Sequence, residues 1–159
     1  MKSLLTIIIL MTFYPISNGA PEPMTGADLH RIIETVADES EGDANVIQFI
    51  VKDIPLICIY DETHNRMRII SPVIQFDDVT EAQKDAMLES NFHGALDARY
   101  ATSNGTVYAA FIHPLSSLND QEVISAIYQV MSLQQTFGTE YSSGLLTFGG
   151  DDASVSEEI

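Results

Sequence analysis

The sequence predicts an α+β domain over residues 25–137, in the order helix, three strands, helix, two strands, helix, with an antiparallel sheet packed with helices. Three segments have apolar residues at helical spacing and a capping residue just before them. Short runs rich in β-branched residues lie between these segments, and neighbouring runs are joined by short turns. Strands joined in this way pair antiparallel, which is typical of an α+β domain.

The first helix is predicted to begin near Thr25, which is a good N-cap, and Asp28 suits the first turn of a helix. Its apolar face would consist of Leu29, Ile32, Ile33 and Val36. The acidic segment ADESEGDAN then ends the helix. The three strand runs that follow are VIQFIVKDI, PLICIYDET and RMRIISPVIQF. Pro72 in the third run indicates an edge position, a bulge or an early end to the strand.

The second half of the domain is predicted from two helix caps and one turn. Thr80 and Gln83 form a capping-box pattern for the second helix. That helix has a small-residue face of Val79, Ala82, Ala86 and Ser90, which permits close approach of another element. A hairpin follows with Ser103-Asn104-Gly105 as its turn. Asn119 with Glu122 caps the third helix, whose apolar face includes Val123, Ile127, Val130 and Met131.

Residues 1–19 are predicted to be a signal peptide. Lys2 supplies the positive charge, LLTIIILMTFYPI is an apolar region too short to span a bilayer with its flanks, and the small and polar residues SNGA follow. Cleavage is expected after Gly19, and an uncleaved amphiphilic anchor is the alternative. The expected location of the mature protein is therefore periplasmic or secreted.

The far end of the chain and the net charge limit the possible partners. After Phe137 the periodicity is lost, and residues 138–159 are predicted to be an acidic flexible tail. The formal net charge is −16, and loss of Lys2 with the leader takes it to −17. Such a charge repels nucleic acid and anionic membranes, so we expect neither as a partner once the leader is cleaved.

The pattern from residue 80 to 137 resembles a known fold. A helix ends in LESNFHGA, a hairpin alternates as ALDARYATSNGTVYAAFIHPL, and the helix NDQEVISAIYQVMSL closes the domain. This resembles the class I type III secretion chaperone fold and its wider bacterial relatives, including YbjN-type proteins. The resemblance covers roughly residues 25–137 and implies a homodimer that holds partner chains on apolar surface, without cofactor or catalytic residues. Secretion chaperones work in the cytosol, so the leader indicates an exported relative with another role.

Two histidines of the hairpin region are candidates for a site. If Asn104 centres the turn, Ala95 lies opposite His113, and His93 lies diagonally close by. Two imidazoles at one end of a sheet could bind a metal ion or share a proton. The alternative is that His93 belongs to the corner between helix and strand and that His113 only ends a strand.

Two charged groups are the other candidates. Asp61, Glu62 and His64 could bind a divalent ion, although a predicted turn explains the same residues. Asp97 and Arg99 would share one face of a strand, which is usually a solvated face. The motifs G-x-S-x-G and H-E-x-x-H and a glycine-rich phosphate loop do not occur in the sequence. We therefore assign no catalytic, cofactor-binding or metal-binding residue.

The strands give a stronger indication of function. PLICIY is apolar on both faces, and VIQFIV nearly so. Cys58 within PLICIY, the sole cysteine, is predicted to be a buried, inert thiol. One sheet face can pack under the helices, and the other needs a second layer or a partner subunit, unless helices cover both faces or the sheet curls on itself.

Two classes of function follow from these observations. The first is an exported, non-enzymatic protein that dimerises and binds a polypeptide partner. The alternative is a small periplasmic hydrolase or metal-dependent enzyme with a dispersed site.

Overall fold

A computed structural model describes residues 22–144, and the α+β class predicted from the sequence is confirmed. A six-stranded antiparallel sheet in the order β1-β2-β3-β4-β6-β5 packs with three helices. The strands are β1 (Glu39–Asp43), β2 (Val46–Val51), β3 (Ile54–Asp61), β4 (Arg66–Gln75), β5 (Arg99–Ser103) and β6 (Thr106–His113). The helices are α1 (Gly26–Val36), α2 (Glu81–His93) and α3 (Asp120–Gln135). The predicted signal peptide, residues 1–19, lies outside the described residues.

Each helix begins at the cap that the sequence predicts. The Thr25 hydroxyl accepts the Asp28 N–H at 3.2 Å, and the Asp28 carboxylate accepts the Thr25 N–H at 3.1 Å. The same reciprocal pair starts α2 at Thr80 and α3 at Asn119. Because the first N–H groups of a helix have no partner within it, these caps fix where each helix starts.

The core lies between α1, α3 and one face of the sheet. Along β2 and β3 every second side chain is buried, and α3 contacts β4, β6 and β5 while α1 contacts β1 and β2. The helix side contributes Leu29, Ile32, Ile33, Val123, Ile127 and Val130, all at most 1% exposed. Each such side chain stabilises the fold by roughly 1.5–3 kcal/mol through burial. Cys58 belongs to this core, which confirms the buried thiol, and burial raises its pKa to about 12.

The sheet has one more strand than the sequence predicts. The segment ADESEGDAN was expected only to end α1, but Glu39–Asp43 within it is the edge strand β1. All five of its residues are exposed, so it lacks the apolar alternation that marks a strand in sequence. Gly42 allows the His30 ring of α1 to pack closely, since a β-carbon there would lie about 2.1 Å from that ring and would displace it.

Two hairpin turns and one bulge set the strand register. Asn104 and Gly105 both have positive φ, at 48° and 78°, as a two-residue type I′ turn requires; the Asn-Gly turn is confirmed, but Ser103 belongs to β5 and not to the turn. Lys52 and Asp53 make a similar turn at 50° and 67°, so β3 begins at Ile54, a residue that was predicted to end the preceding run VIQFIVKDI. Of the alternatives for Pro72, the structure has the bulge, between Pro72 and Ile74.

The ordered packing continues past Phe137, where the flexible tail was expected to begin. The Ser143 N–H donates to the Gly94 carbonyl at 3.1 Å, and the Leu96 N–H donates to the Ser143 hydroxyl at 2.7 Å. The Tyr141 ring packs edge-on against Tyr100, with 6.1 Å between ring centroids. Residues 138–144 therefore close over the corner that follows α2. Residues 145–159, the rest of the predicted tail, lie outside the described residues.

Gln129 on α3 holds the other side of that corner. Its side-chain oxygen accepts the Asp97 N–H at 2.9 Å and the Ala98 N–H at 3.1 Å. Gln129 is 6% exposed, and Ala98 is fully buried. Asp97 was predicted to share a strand face with Arg99, but it belongs to this corner because β5 begins only at Arg99.

No helix among residues 22–144 is long and apolar enough to cross a membrane.

Candidate functional site

The face of the sheet that α1 and α3 leave free is apolar and open. We call it the outer face. Side chains alternate between the two faces along a strand, so the outer face carries the residues that lie between the buried ones of β2, β3, β4 and β6. Val46, Ile50 and Ile59 are each 36% exposed, and Ile112 is 59% exposed. Among residues 22–144, no second layer covers these side chains. An apolar sheet face of this kind marks an interaction surface.

Cross-strand pairing brings the apolar side chains of the outer face together. Ile57 on β3 pairs with Ile70 on β4, and Ile70 pairs in turn with Ala110 on β6. One row of paired residues runs across the sheet, from β1 to β6, and consists of Asp43, Val46, Ile59, Arg68 and Ile112. The centre of the face is thus made of β-branched residues from adjacent strands.

Charged residues of opposite sign lie on the two sides of this centre. On β1, Glu39, Glu41 and Asp43 pair with residues of β2 that belong to the outer face. On β4, Arg66 and Arg68 belong to the same face and are exposed. Within the described residues none of these five side chains forms an ion pair. A recess of about 430 Å³ lies on the acidic side, lined by Glu39, Glu41, Ile50, Pro55, Ile57 and Pro72 among others.

A second apolar surface lies between α2 and β5. We call it the α2–β5 groove. It measures about 290 Å³, and its walls include Met87, Leu88, Tyr100 and Val107. Leu88 is 69% exposed and Phe92, one turn further along α2, is 76% exposed. Solvation of two large apolar side chains four residues apart is unfavourable, so this ridge is suited to contact with another chain.

The outer edge of β5 is partly closed by a side chain. The Asn91 amide accepts the Tyr100 N–H at 2.8 Å and donates to the Tyr100 carbonyl at 3.2 Å. These two bonds take the place that a neighbouring strand would occupy. The small-residue face of α2 is also partly used within the chain, because the Ser90 hydroxyl donates to the Tyr141 carbonyl.

The two candidate histidines have separate surroundings. His93 ends α2 and packs edge-on against Phe92, with 4.7 Å between ring centroids. His113 ends β6, pairs with Met67 of β4 and stacks on Phe111 at 5.7 Å. The register predicted from a turn centred on Asn104 is wrong by one residue. β5 also does not reach Ala95, so Ala95 is not opposite His113.

The cluster of Asp61, Glu62 and His64 separates into two structural roles. Asp61 accepts the His64 N–H at 2.9 Å and lies 2.7 Å from its Nδ1, which closes the turn between β3 and β4. The hydrogen bond from the His64 N–H lowers the pKa of Asp61 below its ordinary value. Glu62 turns away and accepts the Gly26 N–H at the start of α1, at 2.6 Å.

The remaining charged candidate, Arg99, also has a structural role. Its guanidinium donates to the carbonyl oxygens of Leu96 at 2.5 Å and Ala98 at 2.7 Å. Among the described residues no group of three or more His, Cys, Asp or Glu could hold a metal ion. None of the groups considered from the sequence therefore brings together the parts of a reactive site within residues 22–144.

Sequence reasoning missed the α2–β5 groove and the ridge beside it. The signal that could have found them is the pair Leu88 and Phe92, apolar residues four apart on a helix that was assigned a small-residue face. It also missed Gln129, whose role depends on a corner more than 30 residues away in the chain.

Comparison with known proteins identifies the fold but no family. No protein-family model matches the chain, and no curated protein sequence matches it. A chain of the HopA1–SchA chaperone–effector complex is similar in structure, with a TM-score of 0.53, 13% sequence identity, and coverage of 69% of this chain and 87% of that chain. A chain of the ExsC–ExsE complex is also similar, with a TM-score of 0.53, 10% identity, and coverage of 72% of this chain and 96% of that chain. The resemblance to the secretion-chaperone fold is thus confirmed at the level of fold.

Proposed function

We propose that this protein is an exported, non-enzymatic, chaperone-like protein that works as a homodimer and binds a polypeptide partner in the α2–β5 groove. The observation that carries the proposal is the exposed pair Leu88 and Phe92 beside an apolar groove. The fold supports it, because one structure of similar fold is a chaperone–effector complex. Fold alone does not define function, so the groove is the part of the argument that is specific to this chain.

The charges beside the groove define the chemistry of the partner. Asp85 and Glu89 are exposed on α2 four residues apart, which places them in one stripe, whereas Lys84, which lines the groove, is already paired with a carboxylate at 2.7 Å. Leu88 and Phe92 follow Asp85 and Glu89 by three residues each, so the apolar ridge and the acidic stripe lie side by side. The ligand that fits is an extended segment with apolar side chains for the ridge and Lys or Arg for the stripe.

A peptide-binding measurement tests this proposal. We expect the chain from residue 20 to bind extended, apolar peptides flanked by Lys or Arg, and to bind the same peptides with Asp or Glu flanks at least about tenfold more weakly. Leu88→Glu should weaken binding about tenfold or more, since it places a charge in the wall of the groove. Fluorescence anisotropy with labelled peptides measures both effects.

Tyr128→Glu is the matched control for that measurement. Tyr128 is another large exposed side chain, 44% exposed, but it lies on α3 beside Lys52, outside the lining of the groove. It should leave peptide affinity within about twofold of the wild type, because it adds the same charge at a distance. If both variants lost the same peptide affinity, the cause would be the added negative charge rather than the groove. If both peptide types bound equally well, the basic partner proposed here would be contradicted.

Export is tested separately from binding. Lys2 followed by an apolar run and small residues supports a cleaved leader. A fusion of residues 1–24 to a reporter that is active only outside the cytosol should therefore be active. Replacement of Ile7, Ile8 and Ile9 by Asp should silence it, because a charged segment no longer has the apolar region of a leader. An expressed but inactive wild-type fusion would contradict export and leave the binding proposal to be judged alone.

A further inference from the structure

The outer face suits a second copy of the same chain, and the strand register gives the orientation. We infer that two copies pack outer face against outer face about a two-fold axis that runs along the strands. The acidic side of each copy then lies over the arginine side of the other. The inference rests on the homodimer of the proposed function and names the surface and the residues that form it.

The charge distribution on the outer face is the first step of the argument. The described residues contain six Lys and Arg, namely Arg31, Lys52, Arg66, Arg68, Lys84 and Arg99. Two of the six, Arg66 and Arg68, lie on this one face of β4, although the chain as a whole is strongly acidic. Three carboxylates of β1 lie on the opposite side of the same face. The apolar centre is therefore bordered by these opposite charges, and none of the five is ion-paired within the described residues, while Asp61, opposite Arg66 in the register, is paired with His64.

The second step is the choice between the two symmetric ways of stacking the sheets. A two-fold axis perpendicular to the strands, in the plane of the contact, keeps the strand order. It would place β1 over β1, so that carboxylates face carboxylates, and β4 over β4. An axis along the strands reverses the order and places β1 over the far half of the partner sheet. Like charges in contact weaken association and opposite charges steer it, so the charge pattern selects the second arrangement.

The third step identifies the residues that meet. Asp43 and Arg68 belong to the same row across the sheet, linked through Val46 and Ile59. An axis along the strands leaves each row at its own height, so Asp43 of one copy approaches Arg68 of the other. Packed sheets are rotated by about 30°, which keeps the neighbouring Glu41 within the same contact. The same superposition places Val46 of each copy against Ile59 of the other, and this apolar burial overcomes the net repulsion between two acidic chains.

A charge swap tests this contact. Arg68→Glu and Asp43→Arg should each weaken dimerisation about tenfold or more, because each change acts on two symmetry-related contacts. The double variant with both substitutions re-creates the opposite-charge pair and should return to within about threefold of the wild-type dissociation constant. Analytical ultracentrifugation of the chain from residue 20 measures these constants, and circular dichroism checks that each variant is folded.

Lys52→Glu is the charge-matched control, since it alters the net charge by the same amount as Arg68→Glu. Lys52 lies in the turn between β2 and β3, over the Tyr128 ring on the helix side. It should change the dissociation constant less than about threefold. Should Arg68→Glu fail to fold, Arg68→Gln is the milder variant, and it should weaken the dimer by a smaller factor.

The outcomes separate this inference from the proposed function. A dimer that is insensitive to Arg68→Glu, or a double variant no better than the singles, would overturn the contact and leave the dimer itself standing. A dimer broken by Leu88→Glu but not by Arg68→Glu would place the contact on α2 instead. A monomer at micromolar concentration would overturn both dimer and contact. Peptide binding in the α2–β5 groove, measured on the same samples, still decides the rest of the proposed function.

Discussion

A chain that ends at Phe137 should melt about 10 °C below a chain that ends at Gly144, because residues 138–144 stabilise the corner after α2. The Ser143 hydroxyl accepts the Leu96 N–H, and its N–H donates to Gly94. The Ser132 hydroxyl donates to the Ser142 carbonyl at 2.8 Å. We expect the free energy of unfolding to fall by about 2–4 kcal/mol, after the entropy regained by the deleted residues offsets part of the lost contacts.

Point variants make this result specific. Tyr141→Ala removes a ring that contacts both Tyr100 and Phe137, at 6.1 and 5.6 Å between centroids. It should lower the free energy of unfolding by about 1–3 kcal/mol. Glu140→Ala is the control, because Glu140 is exposed in the same segment, and it should change stability by less than about 0.5 kcal/mol. Thermal and urea unfolding measure these differences, and equal melting of the two truncated chains would show that the segment adds nothing.

Gln129→Met should be the most destabilising of the single substitutions considered for this corner. Methionine fills a similar volume but cannot accept the N–H groups of Asp97 and Ala98, which then remain without a partner next to the core. A buried donor without an acceptor costs roughly 1–3 kcal/mol, so we expect the free energy of unfolding to fall by about 2–4 kcal/mol. Urea unfolding measures this, and amide hydrogen exchange should become faster at Asp97 and Ala98.

Gln135→Met is the matched control on the same helix. Gln135 is exposed, and the structure gives its side chain no hydrogen bond within the described residues. Its replacement should change stability by less than about 0.5 kcal/mol. If both variants lost equal stability, the cause would be a general effect of methionine on α3 rather than loss of the hydrogen bonds to the corner. The role assigned to Gln129 would then be wrong.

Features set by neighbours in the chain could be predicted from the sequence. The caps at Thr25, Thr80 and Asn119 involve residues three apart, so the pattern itself contains the interaction. The Asn-Gly turn is equally local, since glycine at position 105 tolerates a positive φ. These signals were enough to give the α+β class and the positions of all three helices.

Features set by distant residues could not be predicted in this way. β1 is polar and exposed, and it is a strand because β2 offers an edge and Gly42 allows α1 to approach. The docking of Ser143 depends on a corner 47 residues earlier in the chain. The outer face itself was expected from the two-sided apolar strands, but its charge asymmetry required the register of β1, a strand that the sequence did not reveal.

The hydrogen bonds from Asn91 to the edge of β5 also bear on aggregation at high protein concentration. A sheet with an apolar face and two free edges could grow strand by strand into an endless ribbon, as amyloid does. At one edge the Asn91 amide already occupies the backbone groups of Tyr100, and at the other edge three carboxylates on β1 repel an identical strand. Growth through the edges is thus disfavoured on both sides. Closed assemblies through the apolar faces are favoured instead, so we expect the chain to expose apolar surface without polymerising.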